Sequence, residues 1–97
     1  MKAYKHLIKF ALSCEYTVSV WDGEEWQVTK SEDYAEIVDA VESVEEAVLK
    51  IRREGGDSIA SVTVSAYGLE DDETVVDYGL CSFMEDWEES YSLTHGA

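Results

Sequence analysis

The chain has no proline, two cysteines, six glycines and only seven Lys and Arg residues among its 97. Each scarcity excludes something. Without proline, or a Gly/Ser-rich run of the kind that joins modules, one small domain spanning 1–97 is expected. Cys14 and Cys81 lie 67 positions apart and do not make the dense disulfide framework of a small secreted scaffold. In a chain able to build a core, two such cysteines are expected to be reduced, buried, small apolar residues. Together with His6 and His95 they form no close pair at zinc-site spacing, so no metal is expected. No apolar run approaches the roughly 18–20 residues of a membrane helix. The first segment, Met1–Cys14, is interrupted by Lys9 and has no apolar stretch of signal-peptide length. It is therefore expected to belong to the fold, and the protein is expected to be cytoplasmic. There is no G-x-S-x-G, no P-loop and no G-x-G-x-x-G, so neither an enzyme nor a cofactor is expected.

The plentiful residues are acids. Twenty-two Asp and Glu give a formal net charge of −15. A charge of that sign repels nucleic-acid phosphates and anionic lipid and favours a basic partner. It is also unevenly distributed along the chain. Residues 1–14 hold Lys2, Lys5 and Lys9 and no acid, the last cation is Arg53, and residues 54–97 carry eleven acids and no Lys or Arg. Solubility or adaptation to high salt accounts for such a bias without any partner. A surface that presents carboxylates accounts for it too.

Hydrophobic residues make up 45% of the chain, enough for a packed core. Residues 3–13 fit both helical and strand spacing, and a helix is favoured because Ser13-Cys14-Glu15 supplies no turn residue. Tyr16–Trp21 and Trp26–Lys30 flank Asp22-Gly23 as a hairpin, with Val20 expected opposite Trp26 and Val18 opposite Val28. Ile37, Val41, Val44, Val48 and Ile51 step by four and three, which predicts one long helix over 34–54, stopped by Gly55-Gly56. Ser43 with Glu46 forms a second capping box within it, a place where that helix can break or kink. Residues 58–67 and 74–80 alternate as a second hairpin, and Ser82 with Glu85 caps a short final helix. The expected fold is α+β, in the order (α)ββαββα. A four-stranded, mostly antiparallel sheet packs against one long helix, with a short C-terminal helix beside it.

The acids are too numerous for any pair of them to indicate catalysis, and Glu70-Asp71-Asp72-Glu73 does not follow the order of a calcium loop. The aromatics Trp21, Trp26, Tyr67, Tyr78, Trp87 and Tyr91 lack the basic groove of a base-stacking platform, so core and cross-strand packing is expected of them. Trp21 turns away from the Val18–Val20 face and is the candidate anchor for a partner. The candidate partner-binding residues are thus Trp21, the acids Glu70, Asp71, Asp72 and Glu73 at the second hairpin's tip, Asp77, and Glu85, Asp86, Glu88 and Glu89 on the final helix. Successive helical turns are about 5.4 Å apart, so carboxylates on one helix face form a ladder on the scale of backbone phosphates. In composition the chain resembles the small DNA-mimic proteins that phages and plasmids use against restriction or CRISPR systems. That resemblance implies an inhibitor that binds a basic DNA- or RNA-binding protein and no nucleic acid directly. The alternative is a protein–protein or self-associating module, such as a homodimer, whose acidity serves solubility.

Overall fold

The structure is a computed structural model that describes residues 3–53, 56, 58–65, 67, 74–79 and 81–95, the last three by their backbone alone. Its elements follow the order αββαβββα: α1 (Ala3–Ser13), β1 (Tyr16–Trp21), β2 (Trp26–Ser31), α2 (Tyr34–Glu42), β3 (Ala47–Arg53), β4 (Ser58–Val64), β5 (Val75–Tyr78) and α3 (Ser82–His95). The class is α+β, with five antiparallel strands in the order β2-β1-β3-β4-β5. The three helices share one face of the sheet. The centre of that layer is α1, which packs on β1 and touches both other helices; α2 lies over β1 and β2, and α3 reaches β4.

The expected four strands and single long helix are corrected here. The segment read as one helix over 34–54 is a nine-residue helix followed by a strand at the centre of the sheet. Asp33 caps α2 by accepting from the Glu36 amide at 3.3 Å, as its sequence position suggests. Ser43 ends the helix. Its amide donates to the carbonyls of Asp39 and Ala40, and its hydroxyl donates to Ala40 at 2.7 Å. Beyond it, Ala47, Leu49 and Ile51 point into the core while Val48, Lys50 and Arg52 point away, a period of two. Strand β3 then pairs along its length with β1 on one side and β4 on the other. Nor is the C-terminal helix short: at 14 residues it is the longest of the three.

The first hairpin forms where Asp22-Gly23 marks it, but in a different register. Val20 faces Val28, and Trp21 faces Trp26. Asp22 Oδ1 accepts from the amides of Glu24 and Glu25, and Gly23 sits at φ +106°, a conformation that favours glycine. Irregularities on either side of Val20, with Lys30 at φ +48°, bend β2, as is common in edge strands.

One core lies between the two layers. Val18, Val20, Leu49, Ile51, Val62 and Val64 from the sheet meet Tyr4, Leu7 and Ile8 of α1, Ile37 and Val41 of α2, and Met84 and Trp87 of α3. The buried amide of Tyr4, near the start of α1, donates to Thr74 Oγ1 at 3.1 Å, so a residue 70 positions away satisfies one open amide of that helix. Among the described residues no helix is long and apolar enough to cross a membrane.

Candidate functional site

The helical layer has an acidic outer side. Phe83, Met84 and Trp87 of α3 turn inward, which leaves Glu85, Asp86, Glu88 and Glu89 exposed as the amphipathic pattern implies. On α2 the buried residues are Ile37, Val38, Ala40 and Val41, and Glu36, Asp39 and Glu42 recur every third residue on its exposed side. Glu32, Asp33, Glu45 and Glu46 flank that row and are exposed as well. Between these helices, α1 carries Lys5 and Lys9, and both lean toward α2. Lys5 Nζ lies 3.7 Å from Glu42 Oε2, and Lys9 Nζ sits 5.1 Å from the centre of the Tyr34 ring. The Lys5–Glu42 contact is the one ion pair among the described residues, and both side chains are well exposed, so it adds little stability. The α3 carboxylates have no described cation within bridging distance.

Among the described residues the other side of the sheet carries no helix, and it has a different chemistry. Residues opposite one another in the ladder share a face, so Trp26, Trp21, Val48, Thr63 and Asp77 form a row across all five strands. The next row holds Ser19, Lys50 and Ser61, and Arg52 follows beside Thr17. The Trp21 and Trp26 rings meet edge to face with centroids 5.1 Å apart. The Arg52 guanidinium carbon stands 5.7 Å from the Trp26 ring centre, and its Nη1 donates to Ser19 Oγ at 3.5 Å. Ser19 Oγ also accepts from the Lys30 amide at 2.8 Å. Ser19 is fully buried although it faces away from the helices, and its hydroxyl takes up both the Arg52 guanidinium and the Lys30 amide.

The candidate residues therefore fall on two sides. Glu85, Asp86, Glu88 and Glu89 stand together on α3. Asp77 is exposed but lies on the helix-free face, opposite Thr63, and is not brought to them. Glu70, Asp71, Asp72 and Glu73 lie outside the described residues. Trp21 is on the helix-free face and half-buried, while its neighbour Trp26 is 40% exposed. Sequence reasoning missed the α2 row and the Trp26–Arg52 pair. The first 53 residues net only −4, and that sum conceals acids on one side of the molecule and Lys50 and Arg52 on the other. The three-residue spacing of Glu36, Asp39 and Glu42 was the available signal.

Two further features bear on chemistry. The cysteines, expected to be buried, are not: Cys14 is exposed and Cys81 half-buried. Both line a cleft of about 300 Å³ with Phe10, Tyr16, Arg53 and Phe83. Among the described residues no three His, Cys, Asp or Glu side chains are grouped to hold a metal ion. No known protein family, curated protein or solved structure matches this chain.

Proposed function

We propose that this is a non-enzymatic acidic binding protein whose helical layer presents carboxylates to a basic partner, one whose groove otherwise holds nucleic acid. The observation that carries the reading is the α3 array. Four exposed carboxylates lie on one short stretch of helix, none of them in an ion pair with a described cation although Arg53 shares a cleft with Asp86, and the α2 row adds more on the same side of the sheet. The helix backbone fixes their points of attachment, so only the side chains have to be ordered on binding. A field of this sign steers a basic protein toward it and makes the association sensitive to salt. A phage- or plasmid-encoded inhibitor of host defence fits this chemistry, acting in the cytoplasm, where its targets work.

The test is displacement of labelled DNA from basic restriction nucleases and CRISPR effector complexes, at low and moderate salt. The chain should displace DNA, and more salt should weaken it. The combined variant E85Q/D86N/E88Q/E89Q should weaken displacement by roughly tenfold or more, a loss of at least ~1.4 kcal/mol. A variant that displaces DNA as well as the parent overturns the assignment to α3.

A second reading has its own observation. Trp26 and Arg52 on the helix-free face are residue types that dominate protein–protein hot spots. A self-associating module would use that face. Light scattering across a concentration series distinguishes the two: a dimer lost in Trp26→Ala supports self-association, and a monomer throughout removes it.

A further inference from the structure

The two cysteines are distant in sequence and share one cleft. Cys14 follows the last residue of α1, and Cys81 immediately precedes α3. Their surroundings interlock. Phe83, two residues beyond Cys81, packs on Phe10 at 5.4 Å between ring centroids and on Tyr16 at 5.7 Å. Cys14 lies between Phe10 and Tyr16 in the chain, and its amide donates to the Phe10 carbonyl at 3.1 Å. Phe10, Cys14 and Tyr16 line the same cleft as Cys81, Ser82 and Phe83, together with Arg53, Ile59 and Asp86. Neither thiol is sealed in the core.

We propose that Cys14 and Cys81 form a reversible intramolecular disulfide that fastens the end of α1 to the start of α3. The oxidant is a small disulfide such as oxidised glutathione. The exposed Cys14 reacts first: its thiolate attacks one glutathione sulfur, a mixed disulfide forms, and one glutathione thiolate leaves. The Cys81 thiolate then attacks the Cys14 sulfur and expels the second glutathione. Two S–H bonds are lost from the protein, one S–S bond is made, and the two released protons are taken up by the two departing thiolates. Oxidised glutathione ends as two reduced molecules.

The bond breaks no helix, because both cysteines lie outside the helical spans. A disulfide holds its Cα atoms about 4.4–6.8 Å apart, so in the oxidised chain the end of α1 and the start of α3 are held at that separation. Free thiols are the resting state in a reducing compartment, and the bond then responds to oxidative conditions.

The experiment treats the native chain with excess oxidised glutathione and follows intact mass and free thiols with time. The expected product has lost the mass of two hydrogens, is monomeric, resists alkylation and returns to the dithiol on reduction. Cys14→Ser and Cys81→Ser should each block the internal bond and instead gain at most one glutathione. Ring closure should be at least about tenfold faster in the folded chain than in denaturant, where it depends on random closure of a long loop. Three results overturn the proposal: a wild-type chain that carries two glutathiones, cross-linked dimers as the main product, or ring closure no faster than in denaturant. None of these outcomes depends on which partner the acidic side binds.

Discussion

Tyr4 is the most informative single residue. Its side chain is fully buried, yet its hydroxyl reaches out between α1 and α2 to donate to Glu42 Oε2. Burial, and then the Glu42 carboxylate, hold the phenol well above its ordinary value of 10.0. A raised value means that the fold favours the neutral phenol. Its contribution to stability is complete below the unfolded value and is lost as pH climbs past it. Tyr4→Phe should cost about 1 kcal/mol near neutral pH, because Glu42 is exposed enough to turn to water. The gap between wild type and Tyr4→Phe in denaturant unfolding should then narrow above about pH 10. A gap that is constant from neutral to strongly alkaline pH would show that this hydroxyl is not held neutral by the fold. Asp22 is shifted in the opposite sense. The amides of Glu25 and Glu24 and the Gln27 side chain hold its carboxylate below its usual range. Whatever it adds to the hairpin is present above the ordinary aspartate value and fades in acid. Asp22→Ala should therefore loosen residues 22–25, read as faster amide exchange at Glu24 and Glu25 at neutral pH, with the difference closing in acid.

At the scale of elements, β3 decides the architecture. As a helical stripe, Val44, Val48 and Ile51 would share one buried side; as a strand, Leu49 is fully buried and Val48 half-exposed. The two readings make opposite forecasts. Leu49→Ala should cost about 2–5 kcal/mol, and Val48→Ala less than about 1 kcal/mol, in urea or thermal unfolding. The reverse order would restore the helix. The strand prevails because Ala47–Arg53 finds a partner on both sides, β1 and β4, whereas a helix there would split the sheet into two hairpins, each with an inner edge left unpaired. Local spacing carries no information about those partners, which is why the strand was hard to read. Other elements were legible because their signals are local: Asp22-Gly23 for the first hairpin, Asp33 as the cap of α2, and Phe83, Met84 and Trp87 for the inward side of α3. The hairpin register was less legible. Both pairings put Val18 and Val20 on one face, and only the four-residue connection of Asp22 to Glu25 selects the observed one.

At the scale of the molecule, most of the described acids lie on the helical side, where Lys5, Lys9 and Arg53 are too few to balance them. Acids of α2 and α3 crowd the helical side, and Lys50 and Arg52 sit on the opposite side with Trp26. Like charges so arranged repel within the folded state and weaken it. Raising salt from about 0.01 M to about 1 M shrinks the screening length from about 30 Å to about 3 Å, so Tm should rise by roughly 5 °C or more. An unchanged Tm would mean that the carboxylates are too well solvated to strain the fold. The same arrangement explains which parts of the candidate surface could be read from the chain. The α3 carboxylates are contiguous in sequence and in space. Asp77 is close to them in sequence but on the other side, because β5 pairs with β4 and turns that residue away from the helices.

The indole pair of Trp21 and Trp26 has an optical consequence. Two such chromophores 5.1 Å apart and tilted by 64° couple their transitions, and a coupled pair in a chiral frame gives a signed couplet in far-ultraviolet circular dichroism. Trp87 sits apart from them, buried against α1, with its Nε1 donating to His6 Nδ1 at 3.1 Å. The couplet therefore belongs to the hairpin alone and needs Trp21 and Trp26 directly opposite each other. A slip that set Trp26 against Val20 would turn the rings to opposite faces of the sheet and erase the signal. The molecule thus carries its own spectroscopic marker for one strand pairing, readable in solution without a label.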